Sequence, residues 1–228
     1  GSHPYNLSLF GAVMEHLGPQ KTEDWLRGMV TNLARAPKGG DTDQIKGVAS
    51  GECGVALTNS YYWVRLVRSE DPKDKAVVSR VGFVWPNQAT TGAHMNISGG
   101  GVAKNAPHRE NAVAFLEYLT SPKAQAYFAS GNNEWPVVKG AVSDNPALAA
   151  LGTPKMENVP ISTIGKNQIA AQRIAGDDHH PAGGNGRVHP PHASARKYPG
   201  ADGGPGWPYL FPFRRVSVDP RNCRAGHQ

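Results

Sequence analysis

The chain has 228 residues, 39% of them hydrophobic and 18% charged, which suits one large globular domain or two small ones. No apolar run approaches the ~20 residues a membrane-spanning helix needs, so membrane insertion is not expected. The net charge of +6 arises from basic residues that gather in no one run or helix, which argues against a nucleic-acid-binding stripe.

The first residues, Gly1-Ser2-His3-Pro4-Tyr5, have neither the basic start nor the apolar stretch of a signal peptide, and none is expected in this chain. The two cysteines, Cys53 and Cys223, lie far apart without metal-type spacing. A disulfide between them stays open, but Cys53 begins the apolar run to Leu57 and reads better as a buried thiol.

Leu7, Phe10, Val13, Met14 and Leu17 recur at helical spacing, and Gly18-Pro19 ends that helix. Trp25, Leu26, Met29, Val30 and Leu33 mark a second helix. Asp41-Thr42 supplies an N-cap for a third, which runs through Ile45 and Val48 to Gly51. Cys53 to Thr58 has the length and composition of a strand, and Tyr61 to Val67 returns to helix. Two further strands are predicted at Val77 to Trp85, bounded by Pro86-Asn87, and at His94 to Val102.

Beyond Pro107, Val113, Leu116 and Leu119 share a helix face. Ser121-Pro122 reads as the cap and first-turn proline of the next helix, which ends near Gly131. Strands alternating with helices predict an α/β domain with a mixed sheet flanked by helices.

The texture changes after Ile174. Residues 175–228 hold 8 of the 19 prolines and 5 of the 9 histidines, with no sustained period. Segments such as Gly203-Gly204-Pro205-Gly206 bury too little apolar surface to offset ordering entropy. The division is therefore a folded domain at 1–174 and a Pro/Gly/His-rich, disordered carboxy-terminal tail at 175–228. The tail's composition also fits translation of a GC-rich gene in the wrong frame.

Tyr61 and Tyr62 stand side by side at a strand-to-helix junction, where ligands bind in α/β sheets. Phenolate is a hard anionic oxygen suited to a small cation of high charge. An ordinary tyrosine has a pKa of ~10 and ionises at neutral pH only when such a charge compensates it. From spacing alone, a ring pair packed half inward is the better account of the doublet.

A distributed set of segments shifts that balance. Ser2-His3-Pro4-Tyr5-Asn6-Leu7-Ser8-Leu9, Gly39-Gly40-Asp41-Thr42-Asp43-Gln44, Gly51-Glu52-Cys53, Asn59-Ser60-Tyr61-Tyr62, Asn96-Ile97-Ser98-Gly99, Arg109-Glu110-Asn111-Ala112-Val113 and Glu134-Trp135-Pro136-Val137 occur in an order and spacing that resemble periplasmic ferric-iron-binding proteins. These are the solute-binding components of bacterial iron ABC transporters.

The resemblance covers Pro4 to about Ile174. It implies the second lobe and hinge-proximal region of a type II periplasmic binding protein, with the amino-terminal lobe missing. It also implies a non-enzymatic, monomeric, periplasmic carrier that delivers Fe(III) to an inner-membrane ABC permease. Tyr61 and Tyr62 are then direct iron ligands, and Tyr5 a third phenolate. Asn59 and Ser2 are placed near a synergistic anion, carbonate or phosphate, at a helix start whose backbone donors suit it.

Two other readings remain. The same fold could serve another small ligand, such as an organophosphonate or thiamine. The tail histidines His179, His180, His189 and His192 could make a metal-dependent hydrolase, although no acidic base sits at a recognisable offset. No phosphate-cradling loop, nucleophile elbow or zinc-protease helix is present in the sequence.

Overall fold

The computed structural model describes residues 3–177, all within the unit Gly1–Gly184. The expected tail beyond that point, with the four candidate histidines and Cys223, lies outside the described residues.

Helix α1 spans Pro4–Leu17 and α2 spans Pro19–Thr31. Gly18 between them has φ +78°, a left-handed conformation that lets α1 stop and α2 begin at Pro19 without a linker. Helix α3 spans Asp41–Ala49, α4 Ser60–Val67 and α5 Pro72–Val78. Further on come α6 at Arg109–Leu119, α7 at Pro122–Tyr127 with a π-helical turn at Phe128–Asn132, α8 at Pro146–Ala149 and α9 at Ile161–Asp177.

Proline in the first turn recurs with a capping side chain before it. Asp71 accepts from the Lys73 amide, Ser121 from Ala124 and Asn145 from Leu148. A proline ring there costs no helical hydrogen bond, while the cap satisfies an amide that would otherwise be orphaned.

Among the described residues, two separate apolar clusters organise these helices. The first joins Leu7, Phe10 and Met14 of α1 to Leu26 of α2 and Ala171 of α9. Helix α9 crosses α1 closely at Gly11, where an added Cβ would come within 3.1 Å of the Ile164 carbonyl oxygen. Asn167 Nδ2 donates to the Gly11 carbonyl at 3.0 Å. The helix continues to Asp177, and Ile174 and Ala175 pack on the cluster. The second cluster joins Ile45 of α3 to Trp63 and Leu66 of α4, with Val77 and Val78 of α5 and Val81, Phe83 and Leu151 against them.

The mixed sheet expected from the sequence does not form among the described residues. Val77 and Val78 close helix α5, because Asp71 and Pro72 start a helix that the valines then continue. Residues 81–85 do alternate in the manner of a strand, with Val81 and Phe83 turned to the cluster and Val84 81% exposed. They join no ladder, nor do 53–58 or 94–102. Apolar alternation fixes which side a chain faces, whereas a strand also needs a neighbour to pair its backbone groups. Cys53 is half-buried, not buried.

A parallel bridge joins Ala93 to Met156. The Ala93 amide donates to the Lys155 carbonyl at 2.8 Å, and the Glu157 amide to the Ala93 carbonyl at 2.9 Å. The approach requires glycine at position 92, whose φ is +95° and whose Cβ would fall 2.6 Å from the Met156 carbonyl carbon.

Beside the bridge, the Glu157 carboxylate lies between two histidines. One oxygen meets His94 Nδ1 and the other meets His16 Nε2 at 3.0 Å. His94 is therefore a half-buried partner of Glu157. Burial raises the Glu157 pKa, but the hydrogen bonds and charges of His94 and then His16 outweigh it and hold the carboxyl below the usual range.

The stability this contributes is fully present above the unfolded glutamate pKa of about 4.3 and is lost as pH falls through the lowered folded value. Glu157→Gln is expected to cost about 1.5–3 kcal/mol at pH 7, the range for hydrogen bonds to a charged group. Denaturant melts of both proteins should differ at neutral pH and converge only once the pH falls below the lowered folded value.

Candidate functional site

Three helix starts carry the candidate site. Tyr5 is in the first turn of α1, where the His3 ring stacks on it with centroids 3.8 Å apart. Asn59 is the N-cap of α4, and Tyr61 and Tyr62 occupy its first turn. The tyrosine rings lie 4.3 Å apart at 34°. Tyr62 packs partly on the second apolar cluster, and the Arg65 guanidinium lies 5.2 Å over its ring. The ring thus takes part in the core as well as facing the site.

The third start contributes a residue that the sequence alone marks only as a helix cap. Gly40 is the N-cap of α3, and Asp41 is its first helical residue. Asp41 is 6% exposed. Its Oδ2 accepts from the Tyr5 hydroxyl at 2.8 Å, and its Oδ1 accepts from the Asn59 amide at 2.8 Å and from Asn59 Nδ2 at 3.2 Å. Nothing local in Gly39-Gly40-Asp41 signals this, because the partners are 36 and 18 residues away.

The electrostatics make the phenols reluctant to ionise alone. Tyr5 is pushed up to about 12, first by burial and then by the hydrogen bond and charge of Asp41, with a contribution from Tyr62. Tyr61 is raised further, first by burial, then by its interaction with Tyr62 and the charges of Asp41 and Tyr5. The three phenols and one carboxylate are therefore close enough that ionising one opposes ionising another.

Such a set is poor as a metal-free anion and well suited to a hard cation, which would replace the phenolic protons. Among the described residues, no three His, Cys, Asp or Glu side chains form a metal cluster. The oxygen donors gathered at these helix starts are the tyrosines expected from the sequence. Tyr5, Tyr61 and Tyr62 are brought into one site. Asn59 sits at the α4 start with its amide engaged by Asp41, and Ser2 lies outside the described residues.

Comparison with known proteins places the chain in context. The profile of the bacterial extracellular solute-binding proteins matches residues 10–153. Iron uptake protein A2 of Synechocystis sp. is 47% identical over 175 residues, 76% of this chain and 50% of that protein. The Fe(3+)-binding periplasmic protein of Serratia marcescens is 30% identical over 145 residues, 63% of this chain and 41% of that protein.

Trichodesmium FutA, solved in complex with iron and citrate, superposes with a TM-score of 0.72 at 46% identity, covering 78% of this chain and 56% of that one. The resemblance to ferric-iron-binding proteins read from the residues is borne out by these matches. The chain spans about half the length of the curated relatives it matches.

Proposed function

We propose that this chain, which belongs to the family of bacterial extracellular solute-binding proteins, binds ferric iron through the phenolates of Tyr5, Tyr61 and Tyr62. The observation that carries this reading is the set of tyrosines from two helix starts around one buried carboxylate, in a chain whose relatives are named for iron uptake. Three phenolates balance the three charges of Fe(III), and each supplies the hard oxygen that such an ion prefers. Backbone amides at the start of α4 would favour an anion that completes the coordination, and the sequence resemblance adds Asn59 and Ser2 to its contacts. Carbonate and phosphate have the right charge, and citrate accompanies iron in the Trichodesmium structure.

The role that follows is carriage, not catalysis. Iron is the cargo, delivered in the periplasm to an inner-membrane ABC permease, with the chain acting as a monomer and part of a two-lobed parent. Among the described residues, no helix is long and apolar enough to cross a membrane.

Titrating the protein with ferric citrate at neutral pH tests the reading. A phenolate-to-iron charge-transfer band should give a red colour that saturates at one iron per chain. Absence of the band from the wild-type chain would sink it.

A further inference from the structure

We propose that Asp41 is a positioning residue for the ferric site, tying Tyr5 to the helix start that carries Tyr61 and Tyr62. This rests on the iron-binding reading above and gives a role to the buried carboxylate to which that reading assigns none.

Tyr5 stands on α1, which packs in the first apolar cluster, whereas Tyr61 and Tyr62 stand on α4, which packs in the second. Core packing on its own therefore does not fix the distance between the two ligand sets. Asp41, on α3, bridges them. One carboxylate oxygen holds the Tyr5 hydroxyl, and the other holds the backbone and side-chain amides of Asn59, which caps α4.

A helix-favouring role for α3 does not explain this placement. An acid in the first turn stabilises a helix by facing its free amides. Here Asp43 does so, its Oδ2 accepting from the Gly40 amide at 2.8 Å. The Asp41 carboxylate instead reaches to two other helices. Burying an ionised carboxylate is costly unless hydrogen bonds compensate, and those of Asp41 all go to ligand-bearing segments. Holding donors at the right separation before the ion arrives lowers the ordering cost of binding; when Tyr5 gives up its proton the trivalent charge takes the proton's place, and Asp41 stays held by Asn59 beside the cation.

The test compares Asp41→Ala, Asp41→Asn and Tyr5→Phe in the full chain, using iron affinity in competition with citrate and band intensity per bound iron. The carboxamide introduced by Asp41→Asn can still accept from the Asn59 amide and can donate to the Tyr5 oxygen, so it restores the tie without the charge. Asp41→Ala should lose about 10–100-fold in iron affinity, the range for residues that orient metal ligands. Its band per bound iron should fall to that of Tyr5→Phe, while Asp41→Asn keeps the wild-type band.

A wild-type band and affinity in Asp41→Ala would overturn the proposal and leave the iron reading intact. So would weakened binding in both Asp41 variants with an unchanged band per iron, which is the mark of general destabilisation. No band in the wild-type chain would overturn both. Should Asp41→Ala fail to fold, Asp41→Asn against Tyr5→Phe still decides, since the proposal requires the first to keep the band intensity per iron that the second reduces.

Discussion

Tyr61→Phe combined with Tyr62→Phe is expected to abolish the ferric charge-transfer band and to leave the fold in place. The two changes remove two oxygens and keep both rings. The stacked pair retains its 4.3 Å contact, and the Tyr62 ring keeps its place against the second cluster and beneath Arg65. The loss therefore falls on the metal. Outer-shell partners typically cost about 10–100-fold in affinity when removed, and removing a direct donor should cost at least about 100-fold per ring.

Each single variant should retain a weaker band, because Tyr5 and the other tyrosine remain. Thermal unfolding of the metal-free double variant should fall by no more than about 4–8 °C, since each lost hydroxyl is worth about 1 kcal/mol. A wild-type band in the double variant would move the iron away from α4 altogether.

Acidification should weaken iron binding steeply. In the metal-free protein Tyr5 titrates near 12 and Tyr61 higher still, so both carry their protons throughout the neutral range. Becoming phenolates on iron requires each to release one proton. Metal affinity then rises with pH, by up to about tenfold per pH unit for each proton released. These two residues alone predict about a hundredfold loss for a drop of one pH unit from neutrality.

The same physics that raises their pKa values sets the sign. Burial and the Asp41 carboxylate disfavour the phenolates, and a trivalent cation reverses that preference. Proton release can be counted directly by adding ferric citrate to weakly buffered protein and back-titrating, against a citrate-only control. Two or more protons per bound iron are expected. Fewer than one would rule out phenolate coordination by this pair.

The helices are legible in the sequence wherever local rules decide. The Gly18-Pro19 break, the spacing of Leu7, Phe10 and Met14, and Ser121-Pro122 before α7 each act within one or two turns. Even so, the valines of 77–85 suggest a strand from Val77, whereas the cap and proline at Asp71-Pro72 start a helix that ends at Val78. From Val81 onward the strand-like alternation does give a one-sided surface. What it does not supply is a pairing partner.

The site divides in the same way. The Tyr61-Tyr62 doublet is visible as a doublet, and Tyr5 joins it through a resemblance spread over much of the chain. Asp41 is hidden because its importance lies in contacts to residues 5 and 59, and no local pattern encodes a hydrogen bond across such separations. The Glu157 pair with His16 and His94 is hidden for the same reason, since 141 and 63 residues separate the partners.

The separateness of the two apolar clusters gives a bound ion a mechanical part to play. Tyr5 stands on α1, which packs in one cluster, and Tyr61 and Tyr62 stand on α4, which packs in the other. An ion held by all three, as proposed, would fasten two clusters that have no residue in common, much as a bolt joins two plates. Its binding free energy would then resist the parting of the two cores as well as the loss of the cargo. On the proposed iron reading, loading and stiffening would be one event.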